Sequence, residues 1–380
     1  MNPSNPTYFL LDCIQAYLTK EKIYKTYSDV FLDPALPNFV HFHALEPLVF
    51  QTINQYDLKP TSEYARRLED FRRSQAAMDL VLQNELLKIR QNFLEKSIRI
   101  EDFKGIRFSN FLYGESIRAG GDLDLIIDKE NLAEALQIFH NLGFHLDNTK
   151  NRNGMSEVSF EELKEAHGQV ELPLIKEKIH IDLHWGLHYS FLPYKMPSSF
   201  LFDNEMEEKE KIFWTLLTHH GAKEFWLRLK NLMDFGAFMI KVRDDFDWPE
   251  VWHKCELYGY QRTFKNGLYL LQKYLKIELP KSLVKVVGDI THSCESLTIN
   301  YWNNGKHWGK PVYRIPYERI LLKSQDQGFN QWNYFRCIFD AYAEPNPIES
   351  KRIINFPKRF RILNFMSKIL SYLIEKIFRR

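Results

Sequence analysis

The run Gly121-Asp122-Leu123-Asp124-Leu125-Ile126-Ile127 puts two carboxylates two residues apart on an apolar segment that reads as a buried strand. Side chains alternate along a strand, so Asp122 and Asp124 share one face. Like charges on one face of a short apolar strand are costly without a cation between them. Two hard oxygen donors at this spacing suit Mg²⁺, an ion that also holds substrate phosphates. The chemistry indicated is metal-dependent phosphoryl or nucleotidyl transfer.

A third carboxylate follows in Lys178-Ile179-His180-Ile181-Asp182-Leu183-His184-Trp185. Parity puts His180, Asp182 and His184 on one face of this second strand. If it lies beside the first, Asp182 completes a three-carboxylate site, the kind that holds two Mg²⁺ ions around a transferred phosphorus. A zinc site of His180, Asp182 and His184 is the alternative, but the ends of such a set lie about 13 Å apart on a strand, too far for one ion. Upstream, Lys104-Gly105 sits at a strand-to-helix junction. Glycine permits close backbone approach, helix-start N–H groups hold phosphate, and Lys104 adds a point charge. Arg118 belongs to the loop before Asp122, where it would overhang the metal site; an ordinary ion pair is the competing expectation.

In order, these elements are Lys104-Gly105, Tyr113, Arg118, Gly121-Asp122-Leu123-Asp124-Leu125 and Ile181-Asp182-Leu183-His184-Trp185. The set resembles the DNA polymerase β-type nucleotidyltransferase superfamily. More narrowly, it is similar to a bacterial group described as uncharacterised nucleotidyltransferases, most strongly over residues 95–190. The resemblance implies that Asp122, Asp124 and Asp182 are the metal ligands, and that the Gly105 region contacts the triphosphate. It implies Mg²⁺ or Mn²⁺ as cofactor and an NTP, ATP by expectation, as substrate. The chain departs from the superfamily in having Gly105-Ile106 where Gly-Ser or Gly-Gly is usual, so no hydroxyl follows the glycine. The Gly105-to-Asp122 interval is also longer than in many members.

The elements that must position these residues follow from periodicity. Residues 1–96 read as helical: Tyr8 to Leu18 and Phe42 to Ile53 show three-to-four spacing, and Ser62 to Lys96 reads as one long helix or two consecutive ones. Residues 97–200 read as a small mixed domain. It has a strand near Ser97–Phe103, a helix over Ile106–Tyr113, the aspartate strand, and a helix from an Asp128 cap to Leu142. A short strand at Phe144–Leu146, a polar loop at 148–154 and a hairpin over Gln169–Trp185 complete it. Residues 201–345 read as mostly helical, with helices expected over Glu207–Gly221, Phe225–Lys241, Trp248–Leu257 and Arg262–Leu275, and residues 346–380 as a basic amphipathic tail. The fold class expected is α+β: a polymerase β-like nucleotidyltransferase core flanked by helical regions.

Composition narrows the function classes. The 380 residues carry 51 basic and 49 acidic side chains, net charge +2, so no global charge argument favours a nucleic-acid partner. Hydrophobic residues at 44% fit an ordered globular chain. The cysteines, Cys13, Cys255, Cys294 and Cys337, lack zinc-finger spacing, and no run reaches the ~20 apolar residues of a membrane span, so a cytoplasmic location is expected. The last thirty residues hold nine Lys/Arg against Glu375 alone. This segment suits an anionic membrane surface, but packing of its stripe Ile362, Phe365, Ile369, Leu373 and Ile377 on the core is preferred. His219-His220 sits where the resembling group has a helix, and a plain helix-end histidine pair is the rival expectation. Arg228, Lys230 and Asp234 are expected on a solvated helix. The function expected is transfer of an NMP group, AMP from ATP by preference, to a hydroxyl of an unidentified small molecule, peptide or protein. The alternatives are a catalytically silent nucleotide- or partner-binding module and a tRNA-modifying toxin-type nucleotidyltransferase.

Overall fold

The computed structural model describes residues 5–23, 27–114, 117–147, 170–188, 194–304, 319–320, 322–326, 331–332, 335–336, 339–340, 343, 354, 356–357 and 359–378. The expected polar loop at 148–154 lies outside these residues. The described chain is mostly helical around one five-stranded sheet: β1 (Ile100–Asp102), β2 (Asp122–Ile127), β3 (His145–Leu146), β4 (Glu171–Lys176) and β5 (Ile179–His184). The strand order is β1-β2-β5-β4-β3, with β2 and β5 parallel and the other pairs antiparallel. β4 and β5 form the expected hairpin, turning through Glu177 at φ 54°.

Period-two patterning gives the sheet two unlike faces. Leu123, Leu125 and Ile127 of β2 and Ile179, Ile181 and Leu183 of β5 turn to one side. There they pack on Leu82, Leu86, Ile89 and Phe93 of the helix Ser62–Glu95 and on Leu132, Ala135, Ile138 and Phe139 of the helix Leu132–Asn141. Each such aliphatic side chain contributes roughly 1.5–3 kcal/mol on full burial. The alternate residues, Asp122 and Asp124 of β2 and His180, Asp182 and His184 of β5, face the other side.

The helix Ser62–Glu95 is a single element of 34 residues, capped by the Thr61 side chain accepting from the Tyr64 N–H. Its Tyr64 and Leu68 join a second core, which also holds Phe9 and Ile14 from the N-terminal helix, Trp214, Phe235 and Phe264 from the C-terminal helices, and Trp226 from the turn between two of them. The expected Phe42–Ile53 helix is instead two, Leu36–His43 and Glu46–Gln55. Ala44 at φ 52° makes the break, and Pro47 suits the first turn of the second helix, where its missing N–H costs nothing.

Two of the expected C-terminal helices are bounded differently from their periodicity. The helix Glu208–Thr215 runs on as a π-helical segment, Leu216–Lys223, and the next helix starts at Leu229 rather than Phe225. Between them Phe225 and Trp226 stand at φ 51° and 59°. Such conformations cost about 1–3 kcal/mol each for bulky residues and persist only where packing enforces them. The enforcement is visible: the Trp226 indole donates to the Thr263 carbonyl at 3.2 Å, and the Trp226 carbonyl accepts from the Trp302 indole at 2.9 Å. Gly221 permits the close approach, since a Cβ there would lie 2.6 Å from Thr263 Cγ2 and 2.9 Å from Trp226 Cζ2. Gly221→Ala is therefore expected to destabilise by about 1–3 kcal/mol through overpacking, read as a lower urea midpoint with an unchanged slope.

The C-terminal helix Arg361–Phe378 buries Asn364, Ser367 and Lys368 and leaves Ile362, Leu363, Met366 and Leu370 exposed. The stripe expected to pack on the core is thus outward at Ile362 and only half-buried at Phe365 and Ile369. Among the described residues no helix is long and apolar enough to cross a membrane.

Candidate active site

The register of β2 and β5 assembles the carboxylates. Asp124 lies directly opposite Asp182, and Asp122 opposite His180. Adjacent strands are about 4.8 Å apart, so Asp124 and Asp182 are side-by-side neighbours, with Asp122 one pleat away on the same face. Burial, reinforced by the charges of Asp124 and Asp182, pushes the Asp122 carboxyl above the usual range. A cation bound between such carboxylates would relieve that repulsion. A set of hard oxygen donors on one rigid face fits Mg²⁺ or Mn²⁺ and does not suit a soft metal.

Lys104 and Gly105 arrive from the other side. Phe103 N donates to the Asp124 carbonyl at 3.3 Å, extending the β1 ladder past Asp102. This brings Lys104 Nζ to 2.5 Å from Asp124 Oδ1. His184 Nε2 stands 3.5 Å from the same oxygen. Burial alone would raise the Asp124 carboxyl, but Lys104 and His184 outweigh it and hold it far below the usual range. Gly105 takes φ 48°, which glycine adopts without strain, and a Cβ there would sit 3.7 Å from the Asp122 carbonyl. The turn into the helix Gly105–Phe108 thus lies against the start of β2, beside the aspartates.

Arg118 forms the ion pair that was its competing expectation, while the Asp124 charge also acts on its guanidinium. Its Nε donates to Asp234 Oδ2 at 2.9 Å, and both side chains are buried. Tyr113 Oη donates to Asp234 Oδ1 at 2.6 Å, and His220 Nε2 lies 3.0 Å from Asp234 Oδ2. Burial would raise the Asp234 carboxyl, but Arg118 and His220 hold it well below the usual range. The solvated helix expected around Arg228, Lys230 and Asp234 is corrected here. Asp234 is fully buried because three donors converge on it, Lys230 is half-buried, and Arg228 alone is exposed, over the Phe42 ring. Burial, with Arg118 alongside, brings the Lys230 amine down to about 8.

The His180–Asp182–His184 zinc alternative finds no support in the geometry. His180 Nδ1 turns to Asp147 Oδ2 at 3.3 Å, while His184 lies between Asp124 and Glu171, its Nδ1 3.3 Å from Glu171 Oε2. Glu171 and Lys223 complete this flank at 2.5 Å and were not singled out from the sequence. The parity of β4 held the clue, since Glu171 is the cross-strand partner of His184. Burial opposes the Glu171 charge, but Lys223 and His184 bring its carboxyl from 4.5 down to about 2. A depressed acid stabilises the fold above its unfolded value and stops doing so as pH falls toward its folded value. Between about pH 4.5 and pH 2 this contribution is expected to fade, and Glu171→Gln is expected to flatten that stretch of the stability–pH curve, as followed by urea unfolding.

A family model described as an uncharacterised nucleotidyltransferase matches residues 33–276. The chain belongs to that family. The matched span contains Lys104, Gly105, Arg118, Asp122, Asp124 and Asp182, together with His219, His220 and Asp234, and it excludes the basic tail. No curated protein and no solved structure matches the chain. Membership in this nucleotidyltransferase family implies an NTP substrate.

Proposed function

We propose that the protein transfers a nucleoside monophosphate, AMP from ATP in the first instance, to an acceptor hydroxyl. The observation that carries the reading is the Asp124–Asp182 register beside Asp122 on one sheet face. Asp122 and Asp124 would hold the metal ions from one strand, and Asp182 would add the ligand nearest the acceptor. When bound there, Mg²⁺ supplies neutralisation of the triphosphate charge and acidifies the attacking hydroxyl. The acceptor oxygen bonds to the α-phosphorus, the α-phosphorus–oxygen bond to the β-phosphate breaks, and pyrophosphate leaves. The hydroxyl proton passes to a carboxylate, for which Asp182 is the candidate. Lys104 and the Gly105 backbone would take the triphosphate, with no hydroxyl side chain after the glycine to assist. Arg118, bonded to Asp234, would shape the loop before Asp122 rather than touch phosphate.

The test is a screen of the purified chain with each α-labelled NTP, Mg²⁺ or Mn²⁺, and cell extract. The expected result is one labelled acceptor whose formation needs the divalent ion and is lost in Asp182→Asn. Labelling that persists in the variant would overturn the site assignment.

A further inference from the structure

His219 and His220 stand next to each other in the π-helical segment, and their contacts run in single file. Lys104 Nζ is 2.9 Å from His219 Nε2, His219 Nδ1 is 3.3 Å from His220 Nδ1, and His220 Nε2 is 3.0 Å from Asp234 Oδ2. The two ends fix every proton between them. A lysine ammonium has donors and no lone pair, so His219 Nε2 must accept from Lys104. The His219 proton then sits on Nδ1 and is donated to His220 Nδ1. His220 carries its own proton on Nε2 and donates it to Asp234, a carboxylate that only accepts.

We propose that this file is a tautomer-locked relay that positions Lys104 against Asp124, with His219 and His220 as positioning residues rather than metal ligands. The metal alternative is concrete. The ligand atoms of His219, His220 and Glu224 lie within 4.8 Å of one another. Two nitrogens on one tetrahedral zinc are also separated by about 3.3 Å. The outer nitrogens decide between the two. An imidazole bound to metal through one nitrogen carries N–H on the other and needs an acceptor for it. His220 has Asp234, but His219 would point its N–H at the Lys104 amine, donor against donor. Glu224 Oε2 is taken by the Asn231 Nδ2 donor at 2.6 Å and stands 3.9 Å from His220 Nδ1.

The surrounding charges agree. Burial, then Lys104 and Lys223, with His220 and His184 adding, keep His219 neutral, well below the ordinary imidazole value. Burial also lowers His220, although Asp234 and Glu224 oppose it and Arg118 assists. With two N–H groups of Lys104 directed to Asp124 and His219, the third is left for a phosphate oxygen. That last role rests on the nucleotidyl-transfer reading, whereas the tautomer assignment does not.

The test is a long-range ¹⁵N–¹H spectrum of the full chain labelled at histidine, with signals assigned through His219→Gln and His220→Gln. His219 is expected as the neutral Nδ1–H tautomer, the minor form of free histidine, and His220 as Nε2–H, both unmoved by stoichiometric Zn²⁺. In Lys104→Met, His219 is expected to lose its single-tautomer signature. An Nε2–H or doubly protonated His219, or Zn²⁺ shifting both Nδ1 signals, would overturn the proposal. A second arm reads ATP affinity, expected to fall about tenfold or more in His219→Phe and to recover in His219→Gln, which restores an acceptor near the Nε2 position. Equal loss in both variants would refute the positioning role. Absence of ATP binding by the unaltered chain would count against the nucleotide reading and leave the tautomer result standing.

Discussion

Asp122→Asn is expected to cut nucleotidyl transfer by about 10³-fold or more, the rate equivalent of several kcal/mol of lost charge stabilisation, and at the same time to raise the metal-free thermal midpoint. The two effects have one origin. Burial, with Asp124 and Asp182 close by, raises the Asp122 carboxyl above its ordinary value. An acid raised in the folded state opposes folding while it is charged, and the penalty disappears as pH falls below the raised value. Asparagine removes the charge while nearly preserving shape, so the repulsion goes and the ion-binding capacity goes with it. Mg²⁺ should stabilise the unaltered chain in proportion to its binding and leave Asp122→Asn unmoved. Thermal unfolding with and without Mg²⁺, alongside the labelling assay, checks both. A variant with a lower midpoint would mean that Asp122 is a structural acceptor, not one of a strained charge cluster.

Asp234→Ala is expected to be the most destabilising single change near the site. It removes the common acceptor of Tyr113, Arg118 and His220 and leaves the Arg118 guanidinium buried without its carboxylate. Breaking a buried pair from one side costs about 3–5 kcal/mol, against the several-fold smaller cost of an exposed pair. Asp234→Asn keeps an acceptor and should lose less. Because Asp234 is held below the usual carboxylate range, its contribution is present above the unfolded value of about 3.9 and is lost as pH falls below it. The difference between the chain and Asp234→Ala should therefore shrink in acid. Chemical denaturation at pH 7 and near pH 3 measures it, and a pH-independent difference would contradict the ion-pair account.

The shared face of the three aspartates was legible because strand parity carries most of it. Once residues 122–127 and 179–184 read as strands, the faces of Asp122, Asp124 and Asp182 followed, and only the β2–β5 adjacency needed the structure. Lys104 was legible as a junction residue, but its contact with Asp124 depends on Phe103 extending the β1 ladder, a long-range fact without local signature. Arg118 was expected either over the aspartates or in an ion pair, and its ion-pair partner had no local signature because Asp234 is 116 residues away. Asp234 itself sits in a helix that is mostly apolar and buried but also carries Lys230, Asn231 and Lys241, and an acid there reads as a surface residue until its three donors are seen. The His219–His220 pair was noticed, but its contacts were not legible, for another reason. A π-helical segment breaks the 3.6-residue period, so helical spacing cannot say which way two successive histidines point. The same irregularity, closed by Phe225 and Trp226 at positive φ, moved the next helix start from the periodic position to Leu229.

In the proposed mechanism Asp122, Asp124 and Asp182 together form a divalent-cation site completed by nucleotide. Electron paramagnetic resonance of free Mn²⁺, titrated into the chain with and without a non-hydrolysable ATP analogue, tests it most directly. The chain is predicted to capture Mn²⁺ more tightly with the analogue than without it. Asp122→Asn, Asp124→Asn and Asp182→Asn are each predicted to lose that capture while keeping their circular-dichroism spectra. Nucleotide-dependent Mn²⁺ capture that survives all three substitutions, or no capture by the unaltered chain, would contradict it.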